Sequence, residues 1–284
     1  MPGFTYSITR FPPWQMIIGP VAILIISCGI LAATLLTTGM PVTPGIDFAG
    51  GTAVTLFSSD SEQQLRGYFS DYPLLSIEEG INHGWYLKFG PLSDAQFRDF
   101  TTHIEARYPD SKVDHIGETF GSTLQQQAVY ALIFSFAGMT AVVFIAFRTL
   151  VPAAAVILSA FADIAMTAAV MNIVGIPLSL GTTAALLMLI GYSVDSDILL
   201  TTRVLKRKGK IEERFSGAFH TGFIMTTTTL AAVAAMWVVS LVGQIEIITH
   251  ISSVLFIGLF VDIFNTWLTN AGILKWYVDR KGSK

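Results

Sequence analysis

The chain has 284 residues, of which 52% are hydrophobic and only 13% charged, and its formal net charge is −3. Soluble domains have about a quarter of their residues charged, so this composition excludes an ordinary soluble protein. The small net charge gives no indication of a nucleic-acid partner. The single cysteine, Cys28, excludes an intrachain disulfide, and the five scattered histidines lack metal-ligand spacing, so no metal site or cofactor is predicted.

Six apolar segments are long enough to cross a bilayer, which takes about 20 residues. The first, 16–36, is too long for the apolar part of a signal peptide and is predicted to be a retained helix that closes an N-terminal region 1–37. The other five are predicted near 128–147, 151–174, 178–203, 219–242 and 247–274, within a helical region 127–274 that a tail, 275–284, follows. The sequence therefore predicts a membrane α-helical bundle of six transmembrane helices.

Residues 38–126, between the first two spans, have the periodicity of a soluble domain, with twelve acidic and five basic side chains. Alternating segments at 52–57, 74–78, 85–89 and 112–116 predict strands, with a hairpin loop at 80–84. Segments 61–72 and 93–108 have helical spacing, with Asp60 or Ser61 as the cap of the first and Ser93 as the cap of the second. The order β-α-β-β-α-β predicts an α+β ferredoxin-like domain inserted between helices 1 and 2.

The basic residues predict the orientation of the bundle. The predicted loop 203–218 and the tail are rich in lysine and arginine, whereas the short loops 175–177 and 243–246 contain neither. Basic residues favour the cytoplasmic side, so both termini are predicted to be cytoplasmic and the domain 38–126 extracytoplasmic. The basic loop is expected to contact anionic lipids.

The fourth predicted span carries two carboxylates, Asp195 and Asp197, close to Arg203. A charge at membrane depth costs roughly 2.5–3.5 kcal/mol, which favours a functional role. Two residues subtend about 200° of an α-helix, so these side chains are expected to point in nearly opposite directions. One could face this bundle and the other a second protein or a water path. In the alternative interpretation, both lie near the headgroups and only mark the end of the helix.

Asp163 in the third span and Asp262 in the sixth bring the intramembrane carboxylates to four. Carboxylates on neighbouring helices can take up and release a proton, as a relay in a pump requires. The alternative is structural hydrogen bonding to the threonines and asparagines of these helices.

The glycine-rich run 45–52 permits unusual backbone angles, although an ordinary linker turn is an alternative. It is not predicted to bind phosphate, because a strand and not a helix follows it.

Two motifs resemble a known family. Segment 45–52 resembles the GxDFxGGT signature that follows the first helix of the SecF family, and 184–193 resembles the fourth-helix block AALLTxIGYS of that family. Asp163 matches an aspartate of the family's third helix, although Ala162 stands where a histidine often precedes it. The six-span plan extends this resemblance over the whole chain. The matching motif residues are Gly45, Asp47, Phe48, Gly50, Gly51, Thr52, Gly191, Tyr192 and Ser193.

The resemblance implies a non-enzymatic subunit that works with SecD, as an accessory complex of the Sec translocon within the resistance-nodulation-division superfamily. It implies use of an ion gradient, first of all the proton gradient, to help move polypeptide on the outer side. The implied partners are SecD, the translocon channel, exported polypeptide and membrane lipids, and the implied location is the cell membrane.

The chain departs from the bacterial pattern in a way that resembles archaeal sequences. Bacterial chains read Asn-Asp-Thr at 195–197, so the family's aspartate falls on Ser196, and the arginine of the fifth helix has no counterpart near Thr221. Which carboxylate carries the ion, whether the ion is H⁺ or Na⁺, and which cation pairs with it stay open; Arg203 and a residue of SecD are candidates.

Two alternative functions follow from the same residues. Asp163 and Asp195 on adjacent helices would suit an intramembrane aspartyl protease, although no Gly-x-Gly-Asp surrounds either. A structural scaffold of the translocon would need no ion coupling.

Overall fold

The computed structural model describes residues 8, 10–80 and 84–282. The tip of the predicted hairpin loop and the last two residues of the predicted tail lie outside the described residues. Within these ranges, six helices are long and apolar enough to span a membrane, as predicted. Five of them are continuous: α1 (Pro13–Thr38), α5 (Glu118–Phe147), α6 (Leu150–Val174), α7 (Leu180–Lys206) and α8 (Ile211–Val242). The last span consists of α9 (Glu246–Phe264), a π-helical segment (Asn265–Asn270) and α10 (Ala271–Gly282).

The second span begins earlier than predicted, at Glu118 and not near residue 128. Its first turn packs directly on the segment that follows α1. A Cβ atom at Gly121 would lie 2.9 Å from the backbone nitrogen of Gly50 and 3.0 Å from the carbonyl oxygen of Phe48. The predicted domain boundary at 126 therefore falls inside a continuous helix.

The predicted basic loop 203–218 is shorter in the structure, because α7 continues to Lys206 and α8 begins at Ile211. The charges at the two helix ends account for the difference. Arg203 and Lys206 lie in the last turn of α7, and Glu212 and Glu213 lie in the first turn of α8. Cations stabilise the C-terminus of a helix and anions its N-terminus, so both helices extend into the predicted loop.

The segment between α1 and α5 forms a small four-stranded antiparallel sheet with strand order β2-β3-β1-β4. Its elements are α2 (Ile46–Ala49), β1 (Gly51–Phe57), α3 (Glu62–Tyr68), β2 (Leu74–Glu79), β3 (Gly84–Phe89), α4 (Asp94–Arg107) and β4 (Lys112–Ile116). In the register of the central strand, Val54 lies opposite Leu87 on one side and Val113 on the other. Helix α3 ends at Tyr68, before the predicted residue 72, and Pro73 disfavours helical geometry at Tyr72.

One face of the sheet and the two longer helices of this segment enclose an apolar core. Its fully buried side chains include Leu56, Leu65, Phe69, Phe89 and Phe100. Burying a side chain of this size contributes about 1.5–3 kcal/mol, so this core, which is separate from those of the bundle, stabilises the segment. At its edge, the Tyr108 hydroxyl donates to Asp60 at 2.7 Å, and this hydrogen bond holds the pKa of the Asp60 carboxyl below its usual value.

The sheet meets the bundle at the N-terminus of α9. The Lys88 ammonium of β3 forms an ion pair with Glu78 of β2 at 3.2 Å and a second one with Glu246 of α9. Burial, followed by the charge of Glu246, raises the pKa of the neighbouring Tyr86 to about 12. A cleft of about 740 Å³ lies beside this junction.

Candidate functional site: a buried carboxyl cluster

We call the sheet-containing segment between α1 and α5 the outer segment, because it lies outside the helical bundle. The glycine-rich run 45–52 joins this segment to the start of α7. The backbone N–H of Gly45 donates to the Leu178 carbonyl at 2.8 Å, and the Asp47 carboxylate accepts from the Leu180 N–H at 2.9 Å. An acceptor at this position satisfies a free N–H group in the first turn of the helix. The run is therefore not an ordinary linker turn, since Asp47, together with the N-cap residue Ser179, caps the helix that carries Asp195 and Asp197.

The two aspartates of α7 point in opposite directions, as their spacing predicts. The Asp197 side chain is completely buried in the bundle, whereas Asp195 is exposed on the outer surface of α7. Asp195 makes no hydrogen bond or ion pair with any other residue that the structure describes. The Asp163–Asp195 pair of the protease alternative is thus not formed.

Asp197 belongs instead to a set of buried polar residues from α6, α7 and the last span. We call this set the carboxyl cluster. All of its members are at most 2% exposed, and they are Asp163, Ser193, Ser196, Asp197, Asp262, Asn265, Thr266 and Asn270.

Asp163 lies near the middle of α6 and holds two helices together. The Ser193 hydroxyl of α7 donates to its Oδ2 at 2.5 Å, and the Asn265 amide donates to its Oδ1 at 2.7 Å. Ser193 is also the last residue of the family-like block in α7. Ser193 of this motif is therefore a hydrogen-bond donor to the buried carboxyl group of Asp163.

The Thr266 hydroxyl links the other two carboxyl groups. Its Oγ1 lies 3.0 Å from Asp197 Oδ1 and 3.2 Å from Asp262 Oδ1. Asn270 donates to the same oxygen of Asp197 at 2.8 Å, and Ser196 reaches Asp262 at 3.1 Å. Asp197 Oδ2 is buried without a hydrogen-bond partner among the described residues.

No cation that the structure describes forms an ion pair with these three aspartates. Arg203, the predicted partner of the α7 carboxylates, donates to the Gly217 carbonyl of α8 at 2.5 Å. Lys275 of α10 donates to the carbonyls of Ile8 and Phe11, both at 2.7 Å. Arg203 therefore connects the C-terminal part of α7 to the N-terminal part of α8 and does not neutralise the cluster.

The π-helical segment supplies the polar side chains of the last span. The Asn265 amide donates to Asp163, and the Asn270 amide donates to Asp197. The two asparagines are five residues apart on the same span, yet both side chains face the interior of the bundle. A π-helical turn, with its i→i+5 hydrogen bonds, holds more residues than an α-helical turn and often marks a functional site. Here it directs both amides into the interior.

These features define a multi-span membrane protein with a buried ionisable site at the contact of three helices. The chain belongs to the SecD/SecF family of protein-export membrane proteins, in its SecF branch. The family described as "Protein export membrane protein SecD/SecF, C-terminal" matches residues 96–280.

Curated relatives of the same length support the assignment. The protein-export membrane protein SecF of Methanolacinia petrolearia is 58% identical over 284 residues, covering 100% of both chains. SecF of Haloferax volcanii is 39% identical over 270 residues, covering 95% of this chain and 94% of the relative. Both organisms are archaea, in agreement with the archaeal resemblance of the sequence.

A solved structure shares the fold. The chain is similar to SecDF from Thermus thermophilus, described as a translocon-associated membrane protein, with a TM-score of 0.70 and 22% identity. The match covers 94% of this chain but only 38% of that chain. At this identity the likeness shows the fold alone.

Proposed function

We propose that this chain is the SecF-like subunit of a SecD–SecF complex that couples an ion gradient, first of all that of protons, to late steps of protein export. The observation that carries the proposal is the carboxyl cluster. Three buried aspartates from three parts of the bundle accept hydrogen bonds from hydroxyl and amide donors, and none of the described cations forms an ion pair with them. Intramembrane groups of this kind mark ion pathways.

Two hydroxyl donors of the cluster are each shared between two acceptors. A hydroxyl group has one proton, so Thr266 can donate to Asp197 or to Asp262 but not to both. The single hydroxyl proton of Ser196 is likewise shared between two acceptors, Asp262 and the Ser193 carbonyl, which lies 2.9 Å from the Ser196 Oγ. A proton on one carboxyl group would supply a further donor and remove a buried charge, so an arrangement of this kind favours reversible uptake of a proton or another small cation.

Ion uptake would change the bonds between helices. Asp163 is bound by donors from α7 and from the last span, and Asp262 is bound by a donor from α7. A carboxyl group that gains a proton becomes a donor, so its partners must reorient or separate. The Asp47 cap connects the outer segment to α7, and the Lys88–Glu246 ion pair connects it to α9. Both contacts would transmit a movement of these helices to the outer segment.

The proposed topology follows from charge and strand order. The β-α-β-β-α-β order with sheet order β2-β3-β1-β4 supports a ferredoxin-like domain, which we place on the extracytoplasmic side. The basic residues at the end of α7 and in α10 support a cytoplasmic position for both termini. SecD, the translocon channel, exported polypeptide and membrane lipids are the proposed partners, and no catalytic role is proposed.

Substitution of Asp163 by asparagine tests the coupling. Asp163→Asn retains the shape of the side chain but removes its capacity to be charged, so the chain should accumulate normally while gradient-dependent export falls about tenfold or more. Export would be measured in cells in which this chain is limiting. Asp279→Asn, the same change at an exposed carboxylate of α10, is the matched control and should export normally. Normal export by Asp163→Asn, combined with lost export on deletion of the chain, would instead support a structural scaffold.

A further inference from the structure

A cleft lies between the outer segment and the connection from α8 to α9, and we call it the outer cleft. Its volume is about 740 Å³, within the range of about 300–1,000 Å³ that is usual for ligand sites. Thr55, Tyr86 and Glu78 lie side by side in three neighbouring strands and line the cleft. Val54 and Leu87, the next residues along these strands, belong to the apolar core. Because side chains alternate along a strand, the floor of the cleft is the face of the sheet turned away from α3 and α4.

Large apolar side chains are exposed at the outer cleft. Phe57 at the end of β1 is 67% exposed, and Ile247 in the first turn of α9 is 68% exposed. Trp85 and Tyr86 also line the cleft. Exposed apolar side chains that cluster in this way mark a binding surface, and aromatic residues are enriched where a protein partner binds. The cleft therefore offers apolar contacts both on the outer segment and on the bundle.

The charges at the outer cleft are mainly negative. Glu78 and Glu246 both form an ion pair with Lys88, so these two carboxylates share a single cation. Glu79 is exposed, and no hydrogen bond or ion pair joins it to another residue that the structure describes. The pKa of Tyr86 is raised to about 12, by burial first and then by neighbouring charges, all of which are carboxylates. The outer cleft therefore favours a cation.

The charges and the apolar contacts together restrict the occupant of the cleft. A lipid with an anionic headgroup carries the same sign of charge as Glu79, and like charges repel. A second copy of the chain placed symmetrically on the cleft would likewise bring its own carboxylates. A polypeptide segment with lysine or arginine beside apolar side chains supplies a cation for Glu79 and apolar groups for Phe57 and Ile247.

We propose that the outer cleft binds a segment of exported polypeptide in which basic residues stand beside apolar ones. This inference rests on the proposed function in protein export, and it assigns to the cleft a role separate from that of the carboxyl cluster. A basic side chain of the segment pairs with Glu79, and its apolar side chains lie against Phe57 and Ile247.

Binding of a synthetic peptide tests the assignment without an ion gradient. The full chain would be placed in bilayer discs of a zwitterionic lipid. The fluorescence anisotropy of a short labelled peptide of leucine, lysine and serine would be titrated, with binding to empty discs subtracted. A second peptide has glutamate in place of each lysine. The wild type should bind the lysine peptide about tenfold or more tightly than the glutamate peptide, because only the lysine peptide complements the carboxylates.

Two variants locate the peptide in the cleft. Glu79→Lys should weaken binding of the lysine peptide about fivefold or more, and Phe57→Ser should weaken it about tenfold. The same changes at exposed positions outside the cleft are the matched controls. Glu105→Lys on α4 and Leu75→Ser on β2 should both bind the peptide like the wild type. Gel-filtration elution at the wild-type position shows that each variant is folded.

Two results of this titration would overturn the proposal: equal affinity of the wild type for the two peptides, or wild-type affinity in either folded cleft variant. Neither result depends on the ion site, because no gradient is imposed. Loss of gradient-dependent export in Asp163→Asn would still support the carboxyl cluster, so the failures of the two proposals are distinguishable.

Photo-crosslinking during export provides a second test. A photoreactive residue in place of Phe57 should form an adduct with a precursor that is halted partway through export. The same residue in place of Leu75, outside the cleft, should form none. Adducts with lipid alone at the first position, or precursor adducts of equal yield at both positions, would contradict a polypeptide site in the cleft.

Discussion

Asparagine in place of Asp197 is expected to lower gradient-coupled export about tenfold or more, and the addition of Asp262→Asn should lower it little further. The two carboxyl groups share the Thr266 hydroxyl, with oxygen distances of 3.0 and 3.2 Å. Residues that act as one unit show effects that are far from additive, since loss of either one disables the unit.

The measurement is the export rate of the two single variants and the double variant in membranes, with and without an imposed ion gradient. The rate without a gradient should be nearly the same in all of them, because the substitutions affect the coupling and not the channel. Thr228→Val is a suitable control, since this hydroxyl is exposed on α8 and bonds only to carbonyls of its own helix. Multiplicative losses in the double variant would show that Asp197 and Asp262 act independently.

Alanine at Gly51 is expected to have the largest effect on stability. Gly51 has a φ of +156°, and a Cβ atom there would lie 2.6 Å from the Phe89 carbonyl oxygen of the neighbouring strand. The clash involves backbone on both sides and cannot be relieved by rotation of a side chain. We expect a loss of about 2–4 kcal/mol in the free energy of unfolding of the outer segment, the range in which backbone strain and overpacking combine.

The outer segment contains Trp85 in β3. In a background in which the other four tryptophans are replaced by phenylalanine, Trp85 fluorescence during denaturant titration of the whole chain in detergent follows this loss. Gly67→Ala is the matched control, because Gly67 lies inside α3 and its Cβ would meet no atom within 4 Å. This control should stabilise the segment by about 0.5–1 kcal/mol, the helix preference of alanine over glycine. Equal midpoints for Gly51→Ala and Gly67→Ala would contradict the close packing of the motif.

Much of the architecture could be predicted from periodicity. Long apolar runs indicate the six spans, and the alternating and helical patterns of 52–116 indicate every strand and both longer helices of the outer segment. Helix ends were less predictable, because they depend on contacts distant in sequence. Glu118 begins α5 because Gly121 packs against the run 45–52, a contact that no local pattern indicates.

The carboxyl cluster was predictable only in part. Helical spacing separates Asp195 from Asp197, but it does not show which of them faces inward, since both faces of α7 contain polar residues. Asp163 and Asp262 could be recognised as carboxylates inside apolar runs. That Asn265 and Asn270 both bind these carboxylates depends on the π-helical segment, and regular α-helical spacing would place them about 140° apart.

Ser196 departs from the family pattern, and the structure shows which residue compensates for this departure. The resemblance places the family's aspartate at this position, and the sequence alone left its replacement without an explanation. In the structure the Ser196 hydroxyl lies 3.1 Å from Asp262, so the last span supplies a carboxyl group beside the position where α7 lacks one. The neighbouring Asp197 supplies a second, and the site keeps its acidic character.

Ion flux through the purified complex tests the central claim most directly. The chain and SecD would be reconstituted into vesicles in two separate arms, one with a pH gradient and a proton-sensitive dye inside, the other with a sodium gradient and a sodium-sensitive dye inside. Flux driven by one of the two gradients, present in the wild type and in Asp279→Asn but absent from Asp163→Asn and Asp197→Asn, is the predicted result. Flux of the same size in the wild type and in both cluster variants, in either arm, would contradict a role for the buried aspartates in ion coupling.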